Sequence, residues 1–156
     1  MKKAIFICST GGHLTELLML NKMFDKYDYT IITEKTKSTM SLNKKYEDRV
    51  KYLVYGTKSH IFPYLFKFPY NCIKSFIYFI KLKPDLIITT GAHTAVPMCY
   101  IAKMFGKKVI YIETFANITT KTLTGRLVYP ISDLFIVQWE TMLKLYPKAK
   151  YYGGIF

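Results

Sequence analysis

Short apolar runs alternate along this chain with segments whose apolar residues recur at helical spacing. The runs are rich in Ile, Val and Tyr with little polar alternation, which is typical of parallel strands buried on both faces. The predicted strands are Ala4–Ser9, Tyr29–Thr33, Val50–Tyr55, Leu86–Thr89, Lys108–Ile112 and Leu134–Val137, and the predicted helices are His13–Phe24, Tyr70–Leu82, Ala95–Phe105 and Glu140–Tyr146. The polar, basic stretch Glu34–Arg49 has no period and is predicted to be a mobile loop. The alternation predicts an α/β fold with a doubly wound parallel sheet and right-handed crossovers.

The composition combines a large apolar content with a strong positive charge. Hydrophobic residues make up 51% of the 156 residues, which excludes a disordered chain and predicts a single domain, residues 1–156. The 23 Lys and Arg residues against 10 Asp and Glu residues give a formal net charge of +13. A basic, aromatic-rich domain favours an anionic partner, either a nucleic acid or an anionic membrane surface.

The cysteines and the N-terminus indicate a cytosolic protein. Cys8, Cys72 and Cys99 are odd in number, widely spaced and set in apolar runs, so we expect reduced core thiols and no metal site. Met1-Lys2-Lys3 precedes only five apolar residues, a run too short for a signal peptide, and it is predicted to lead into a strand.

The sequence Ser9-Thr10-Gly11-Gly12-His13 lies where the first predicted strand gives way to a helix. Glycine adopts backbone conformations denied to other residues and so allows a sharp turn there. A helix that begins after such a turn points free N–H groups and its positive dipole end at the ligand crevice, which favours a phosphate. The dinucleotide-binding fingerprint is missing, because no third glycine follows at the right spacing and no acidic residue is suitably placed at the end of a second strand. A plain strand-to-helix turn is the alternative.

The sequence Gly91-Ala92-His93-Thr94 repeats this arrangement after the fourth predicted strand, and Thr94 is predicted to cap the next helix. The first and fourth strands of such a sheet usually flank the point where the strand order reverses, so both turns are predicted to line one crevice. Two facing turns suit a diphosphate. His13 is predicted either to donate to phosphate or to act as a base, and purely structural roles for both histidines are the alternative.

Two further side chains follow predicted strands at the same edge of the sheet. Glu113 comes after the fifth strand, where it could hold a sugar hydroxyl, act as a base or pair with a lysine. Trp139, the only tryptophan, follows the sixth strand and is predicted to serve either in the core or at an interface.

The aromatic, basic segment Ile61–Leu82 is long enough to span a bilayer as a helix. Its three lysines and two prolines argue against this, because each lysine near the bilayer centre costs about 2.5–3.5 kcal/mol. Pro69 is predicted to break the segment and to lie in the first turn of a helix from about Tyr70. The apolar side of that helix would be formed by Ile73, Phe76, Ile77 and Ile80.

We therefore expect this segment to lie in the membrane interface, with lysines reaching the headgroups and aromatic rings at the acyl boundary. The predicted membrane contacts are Phe62, Phe66, Lys67, Phe68, Lys74 and Lys81. The alternative is an amphipathic helix packed on the sheet with its lysines in water.

Four motifs in this order resemble those of a two-component glycosyltransferase family: Cys8–His13, Gly91–Pro97, Ile112–Ala116 and Val137–Glu140. Its bacterial members are EpsE-like or PssD-like proteins of polysaccharide biosynthesis. Its eukaryotic counterpart is the membrane-anchoring subunit of the N-acetylglucosaminyltransferase that adds the second sugar to the dolichol-linked oligosaccharide. The two glycine turns are also similar to those in the N-terminal half of MurG.

The resemblance implies a Rossmann-like domain equivalent to the N-terminal, acceptor-side half of a GT-B enzyme divided between two chains. A separate C-terminal-half partner would bind the sugar nucleotide, and this chain would need no cofactor and be inactive alone. The acceptor would be a polyprenyl-diphosphate-linked saccharide, extended for a capsule or exopolysaccharide at the cytoplasmic face of the membrane, with peripheral attachment and no spanning helix. The candidate catalytic residues are His13 and Glu113, and the acceptor diphosphate would be bound by Ser9, Thr10, Gly11, Gly12, His13, Gly91, Ala92, His93 and Thr94.

Two other classes of function remain as alternatives. A nucleic-acid-binding module is supported only by the net charge, which is scattered and accompanied by no recognised motif, so we expect no nucleic-acid partner. A stand-alone nucleotide-dependent enzyme, such as a reductase, is disfavoured by the missing dinucleotide fingerprint.

Overall fold

The computed structural model describes residues 1–56 and 61–156, with the backbone alone for residues 61–64. Its strands are β1 (Lys3–Cys8), β2 (Asp28–Lys35), β3 (Val50–Val54), β4 (Leu86–Gly91), β5 (Lys108–Ile112), β6 (Leu134–Val137) and β7 (Lys150–Tyr151). Its α-helices are α1 (Gly12–Met19), α2 (Asn21–Phe24), α3 (Leu42–Lys45), α4 (Ile61–Leu82), α5 (Val96–Met104) and α6 (Leu123–Val128). The predicted α/β, Rossmann-like architecture is confirmed.

The strand order β3-β2-β1-β4-β5-β6-β7 places β1 beside β4 in the middle of an all-parallel sheet. The chain leaves β1 in one direction across the sheet and leaves β4 in the other, so the order reverses between these two strands. Their carboxyl ends meet where Cys8 pairs with Gly91, after a shift of register that follows Ile7. The predicted crevice position is therefore present in the fold.

The core lies on both faces of the sheet, as the unbroken apolar strands predict. Along β1, Ile5 and Ile7 pack on the side of α4 and α5, whereas Phe6 and Cys8 pack on the side of α1 and α2. Successive side chains of a strand point to opposite faces, so a strand covered on both sides needs apolar residues at every position. This burial fixes the central strands whose ends carry the glycine turns.

The predicted helix His13–Phe24 is instead two helices that meet at Leu20. The φ and ψ angles of Leu20 are −79° and 15°, and its N–H bonds to the carbonyl of Leu17 three residues back. Burial of Leu20 and Phe24 against the sheet favours this tight turn over a continuous helix. The predicted helix at 140–146 is a 3₁₀ turn over Glu140–Lys144.

Pro69 does not break the aromatic segment as predicted, because α4 continues from Ile61 to Leu82 with Pro69 inside it. Proline removes one hydrogen bond to the carbonyl four residues back, here that of Leu65. Leu65 and Pro69 are both exposed, so the missing hydrogen bond lies in a part of α4 that is at the surface.

Further differences concern strand β2 and the short elements α3, α6 and β7. Strand β2 extends through Lys35 and α3 occupies Leu42–Lys45, so the predicted loop at 34–49 is in part regular structure. The short elements α6 and β7 were not predicted, since each has too few residues to show a period. Over the described residues, no helix combines the length and apolar character needed to cross a membrane.

The three cysteines are free, and Cys8 and Cys99 are buried as predicted, whereas Cys72 on α4 is half-buried. Burial raises the pKa of the Cys99 thiol to about 12 and that of the Cys8 thiol further still. Such thiols stay protonated near neutral pH and act as apolar core groups.

Candidate functional site

The two glycine turns lie side by side at the carboxyl ends of β1 and β4. The Nδ1 atom of His13 lies 2.9 Å from the carbonyl oxygen of Thr90, and the Thr90 hydroxyl donates to the carbonyl of His13 at 2.7 Å. Gly11 has a φ of 78° and Gly91 a φ of 108°, conformations that favour glycine. A Cβ atom on Gly91 would also lie 2.9 Å from the Tyr111 hydroxyl. Both glycines are therefore required by the backbone that forms this crevice.

The ring of His13 is oriented by the backbone of the opposite turn. A carbonyl oxygen can only accept, so the contact with Thr90 requires the proton on Nδ1. Nε2 then carries the lone pair, and it makes no hydrogen bond within the described part of the chain. The side chain is 29% exposed, which leaves Nε2 within reach of a bound molecule.

Glu34 was not predicted as a site residue, yet it joins the two turns. Its Oε2 accepts from the N–H of Thr10 at 3.3 Å and from the Thr10 hydroxyl at 3.4 Å, and its Oε1 accepts from the Thr94 hydroxyl at 2.7 Å. Nε2 of His93 lies 3.8 Å from the same Oε1. Glu34 is almost fully buried in β2, so an acidic residue does stand at the end of the second strand, contrary to the sequence-based expectation.

These contacts change the roles of some predicted phosphate ligands. The hydroxyl groups of Thr10 and Thr94 are occupied by Glu34, and the Ser9 hydroxyl donates to the carbonyl of Thr10 at 3.3 Å. Thr94 does not cap α5, contrary to prediction, because its hydroxyl turns inward. The N–H groups of Gly12 and His13, in the first turn of α1, have no intrahelical acceptor. These two N–H groups remain available to an anion.

Ala92 holds an unfavourable backbone conformation between these turns. Its φ of 72° and ψ of 158° lie in a region that is essentially restricted to glycine. Such strain costs on the order of 1–3 kcal/mol and persists only where the surrounding structure imposes it. Here the Thr90–His13 hydrogen bonds on one side and the Glu34–Thr94 hydrogen bond on the other fix the turn.

Glu113 lies at the predicted edge of the sheet but is fully buried beneath α6. Its carboxylate oxygens accept from the Thr122 hydroxyl at 3.0 and 3.2 Å, the Tyr146 hydroxyl at 3.2 Å and the N–H of Thr114 at 3.1 Å. The predicted alternative of an ion pair with a lysine is not observed among the described residues. Burial raises the pKa of the Glu113 carboxyl group, and these hydrogen bonds lower it in part.

The start of α6 closes over this carboxyl group. The Thr122 hydroxyl caps the helix by accepting from the N–H of Gly125 at 2.9 Å. A Cβ atom on Gly125 would collide with the Tyr146 hydroxyl and with Oε2 of Glu113, so only glycine fits there. Glu113 thus ties β5, α6 and the segment around Tyr146 together.

Trp139 lies at the surface of the same edge. Its Nε1 donates to the carbonyl of Phe115 at 2.8 Å, and the two rings lie 4.6 Å apart between centroids. The half-buried indole therefore fixes the loop after β5. Over the described residues, no three His, Cys, Asp or Glu side chains are grouped so that they could hold a metal ion.

Helix α4 exposes an apolar stripe and buries polar groups. Phe66 is 76% exposed and Ile73 is 61% exposed, and the stripe follows the helical period. It consists of Phe66, Tyr70, Ile73, Ile77 and Ile80. On the opposite side Asn71 and Ser75 are buried, and the Asn71 amide bonds to both the N–H and the carbonyl of Val54 at 2.9 and 2.8 Å. The apolar side is therefore not packed on the sheet.

The lysines of α4 flank this stripe. Lys67 and Lys74 line a groove of about 350 Å³ beside β3, together with Lys35. Nζ of Lys74 lies 5.8 Å from the ring centroids of both Tyr70 and Tyr78. Lys81 is exposed, Phe68 is half-buried, and the side chain of the predicted contact Phe62 lies outside the described residues.

Residues 4–155 match the family described as oligosaccharide biosynthesis protein Alg14 like. The chain belongs to this family. It is 32% identical to the UDP-N-acetylglucosamine transferase subunit ALG14 of Candida albicans, over 94% of this chain and 75% of the relative. It is 30% identical to the subunit of the same name from Mus musculus, over 98% of this chain and 82% of the relative.

The fold is similar to that of larger enzymes in the solved structures. Acinetobacter baumannii MurG matches with a TM-score of 0.74 and 17% identity, over 90% of this chain and 43% of MurG. A UDP-N-acetylglucosamine 2-epimerase from Rickettsia bellii matches with a TM-score of 0.73 and 16% identity, over 99% of this chain and 45% of the epimerase. The Alg14-family chain thus spans less than half the length of these enzymes and has the fold of one half of a GT-B glycosyltransferase.

Proposed function

We propose that this Alg14-family chain is the acceptor-binding and membrane-docking subunit of a two-chain glycosyltransferase. The observation that carries the proposal is the match over almost the whole chain to proteins named as subunits of UDP-N-acetylglucosamine transferase. The transferred sugar is accordingly N-acetylglucosamine, and the acceptor is a polyprenyl-diphosphate-linked saccharide.

The partner is a separate chain that corresponds to the C-terminal half of a GT-B enzyme and binds the sugar nucleotide. The similarity of this chain to one half of MurG supports this division, with residues 1–156 as a single acceptor-side domain. The finer assignment, to capsule or exopolysaccharide synthesis, rests on the resemblance of the four motifs to the EpsE-like and PssD-like proteins.

The acceptor diphosphate binds in the crevice between the turns at 9–13 and 91–94. The free N–H groups at the start of α1 and its positive dipole end favour phosphate oxygens there. His13 takes the proton of the attacking acceptor hydroxyl on Nε2, the hydroxyl oxygen bonds to the anomeric carbon of the donor sugar, and the nucleoside diphosphate leaves with the electron pair of the broken bond. Glu113 is the rival base, although its burial and the donors from Thr114, Thr122 and Tyr146 favour a structural role.

Membrane docking is assigned to α4. Its exposed stripe provides apolar side chains for the acyl boundary, and Lys67, Lys74 and Lys81 provide charge for anionic headgroups. From Phe66 to Ile80 the stripe extends about 21 Å along the helix, so the whole stripe can contact the membrane only if α4 lies nearly parallel to its plane. We assign this peripheral contact to the cytoplasmic face.

Reconstitution tests the two-chain activity. The purified chain, a C-terminal-half protein from the same genome, and the two together are assayed for transfer from UDP-N-acetylglucosamine to a polyprenyl-diphosphate-linked N-acetylglucosamine. We expect transfer only from the mixture. Robust transfer by this chain alone, with contaminating partner excluded by mass spectrometry, contradicts the proposal, as does a complex that forms but transfers no sugar to any such acceptor.

The same assay decides between His13 and Glu113. Loss of a general base costs about 10²–10⁴-fold in kcat, whereas loss of a group that binds ground state and transition state equally raises KM alone. We expect the kcat loss for His13→Ala and not for Glu113→Gln. A normal kcat and KM for His13→Ala would remove it from the site.

A further inference from the structure

Glu16 lies one helical turn after His13 on α1, outside the set of residues considered so far. Its Oε1 accepts from the Thr114 hydroxyl at 2.7 Å and from the N–H of Phe115 at 2.9 Å. These two bonds hold the carboxyl group between α1 and the loop after β5. The side chain is mostly buried, at 13% exposure.

The second oxygen of Glu16 has no hydrogen-bond partner among the residues that the structure describes. Oε2 is buried, and among the described residues the basic group near it is Nδ1 of His13, at 3.8 Å. A buried carboxylate oxygen without a donor is costly, and structures rarely leave one unless it has a task. Since Nδ1 carries a proton toward Thr90, a small rotation of the ring brings this N–H toward Oε2.

We infer that Glu16 is a positioning residue for His13, and this inference rests on the proposed function. While the ring is neutral, the Thr90 carbonyl accepts from Nδ1–H, and the negative charge of Glu16 disfavours a lone pair on Nδ1, so both groups hold the proton there. When Nε2 takes the proton from the acceptor hydroxyl, the ring becomes a cation, and Oε2 of Glu16 supplies the counter-charge at Nδ1–H. Serine-protease triads use a carboxylate on the far nitrogen of the base in the same sense.

The fold holds the carboxylate ready for this task. Thr114 and Phe115 occupy Oε1 and prevent Glu16 from turning toward solvent. The indole of Trp139 fixes the same loop through the carbonyl of Phe115. Oε2 therefore stays beside His13 during the reaction, so only a small rotation of the ring is needed, and a charge held in place in this way stabilises a developing cation effectively.

Two variants separate the charge of Glu16 from its tethering of the loop. Glu16→Gln keeps an oxygen for Thr114 and Phe115 but places an amide donor or a neutral oxygen beside Nδ1–H. Thr114→Val removes one donor to Oε1 and leaves the carboxylate in place. In the reconstituted enzyme we expect Glu16→Gln to lower kcat by about 10–10²-fold with little change in KM, and Thr114→Val to change kcat by less than about threefold.

A second measurement uses the chain alone and needs no activity. Nitrogen-15 chemical shifts of the His13 ring report which nitrogen carries the proton. We expect the Nδ1–H form in the wild type and in Thr114→Val, and a larger share of the Nε2–H form in Glu16→Gln. Equal kcat losses in both variants, or ring shifts that are unchanged by Glu16→Gln, would reduce Glu16 to a structural tether.

Failure of the proposed function gives a different result. If wild-type chain and partner form a complex without transferase activity, the function is overturned, while the ring shifts of the isolated chain still decide whether Glu16 orients His13. If the wild-type mixture is active but Glu16→Gln and Thr114→Val lower kcat equally, the positioning role of Glu16 is wrong and the proposed function stands.

Discussion

At the residue scale, the buried glutamates organise the carboxyl edge of the sheet. Glu34 connects the two glycine turns, and Glu113 connects β5 to α6 and Tyr146. Each is surrounded by hydroxyl and N–H donors, which a buried carboxyl group requires. In the crevice beside them, Nδ1 of His13 is bonded to Thr90, and Nε2 of the same ring is left to contact a bound molecule.

Burial of Glu113 predicts a pH dependence of stability. Its pKa is raised in the folded chain, so the folded state binds the proton more tightly than the unfolded chain does. The free energy of unfolding therefore falls as the pH rises from the ordinary glutamate pKa through the raised value. Glu113→Gln removes this contribution, and urea unfolding across that interval should show a flatter pH profile for the variant.

Glu140→Gln is the matched control for that measurement, because Glu140 is exposed in the 3₁₀ turn after β6. Its pH profile should follow the wild type. If Glu113→Gln and Glu140→Gln give the same profile as the wild type, the burial of Glu113 does not couple to folding.

At the scale of elements, α4 carries apolar residues on both sides, because Phe79 packs in the core while a second apolar stripe is exposed. Asn71 and Ser75 face the sheet, and the apolar stripe faces outward. Val54 lies on the edge strand β3, and the Asn71 amide bonds to its N–H and its carbonyl as a neighbouring strand would. These two bonds fix the rotation of α4 about its axis. This polar contact and the packing of Phe79 together decide which side of α4 faces outward, toward the proposed membrane surface.

The lysines of α4 should then control vesicle binding. Replacing Lys67, Lys74 and Lys81 by Glu should lower partition to anionic vesicles by about 10²-fold or more, because each lysine near such a surface contributes about 1 kcal/mol. The loss is measured by vesicle sedimentation, and the difference should shrink at high salt because salt screens the attraction.

Lys22, Lys26 and Lys44 provide the control, because all three are exposed and lie outside α4. Their replacement by Glu changes the net charge equally and should leave most of the binding intact. Equal losses in the two triple variants would indicate a diffuse charge effect, and unchanged sedimentation of the α4 variant would leave its lysines as a solvated face.

At the scale of the whole molecule, one continuous sheet connects the crevice, the loop after β5 and the strand beside α4. The all-parallel order places every loop with site residues at the same edge, because parallel strands end on the same side. The proposed acceptor crevice and the proposed membrane face are therefore held by shared strands.

If residues 1–156 form the single domain that we predict, the chain is expected to unfold as one unit. Fluorescence of Trp139, the only tryptophan, reports the region after β6, whereas far-ultraviolet circular dichroism reports all helices and strands. Urea midpoints from the two signals should coincide. Separate midpoints, or a second transition, would divide the chain into independent units.

The periodicity of the sequence determined the α/β class, the parallel strands and the position of both glycine turns. Strands such as β1 are apolar at every residue because both faces are covered, and Gly11 and Gly91 mark backbone that other residues rarely adopt. These are local properties, so one chain segment suffices to show them.

The roles of the polar residues depended on the tertiary structure. Glu34 meets Thr94 across 60 positions and Glu16 meets Thr114 across 98, and no local pattern reports such pairs. Two signals were available in the sequence: Glu16 lies one helical turn after His13, and Glu34 directly follows the second predicted strand. Both residues would also fit an exposed helix or loop, so these signals were not decisive. The rotation of α4 was decided in the same way, because Asn71 gains two hydrogen bonds only when β3 lies beside it. The role of a buried polar group depends on partners that are distant in sequence and meet only in the folded chain, whereas apolar periodicity is a local property that the sequence shows directly.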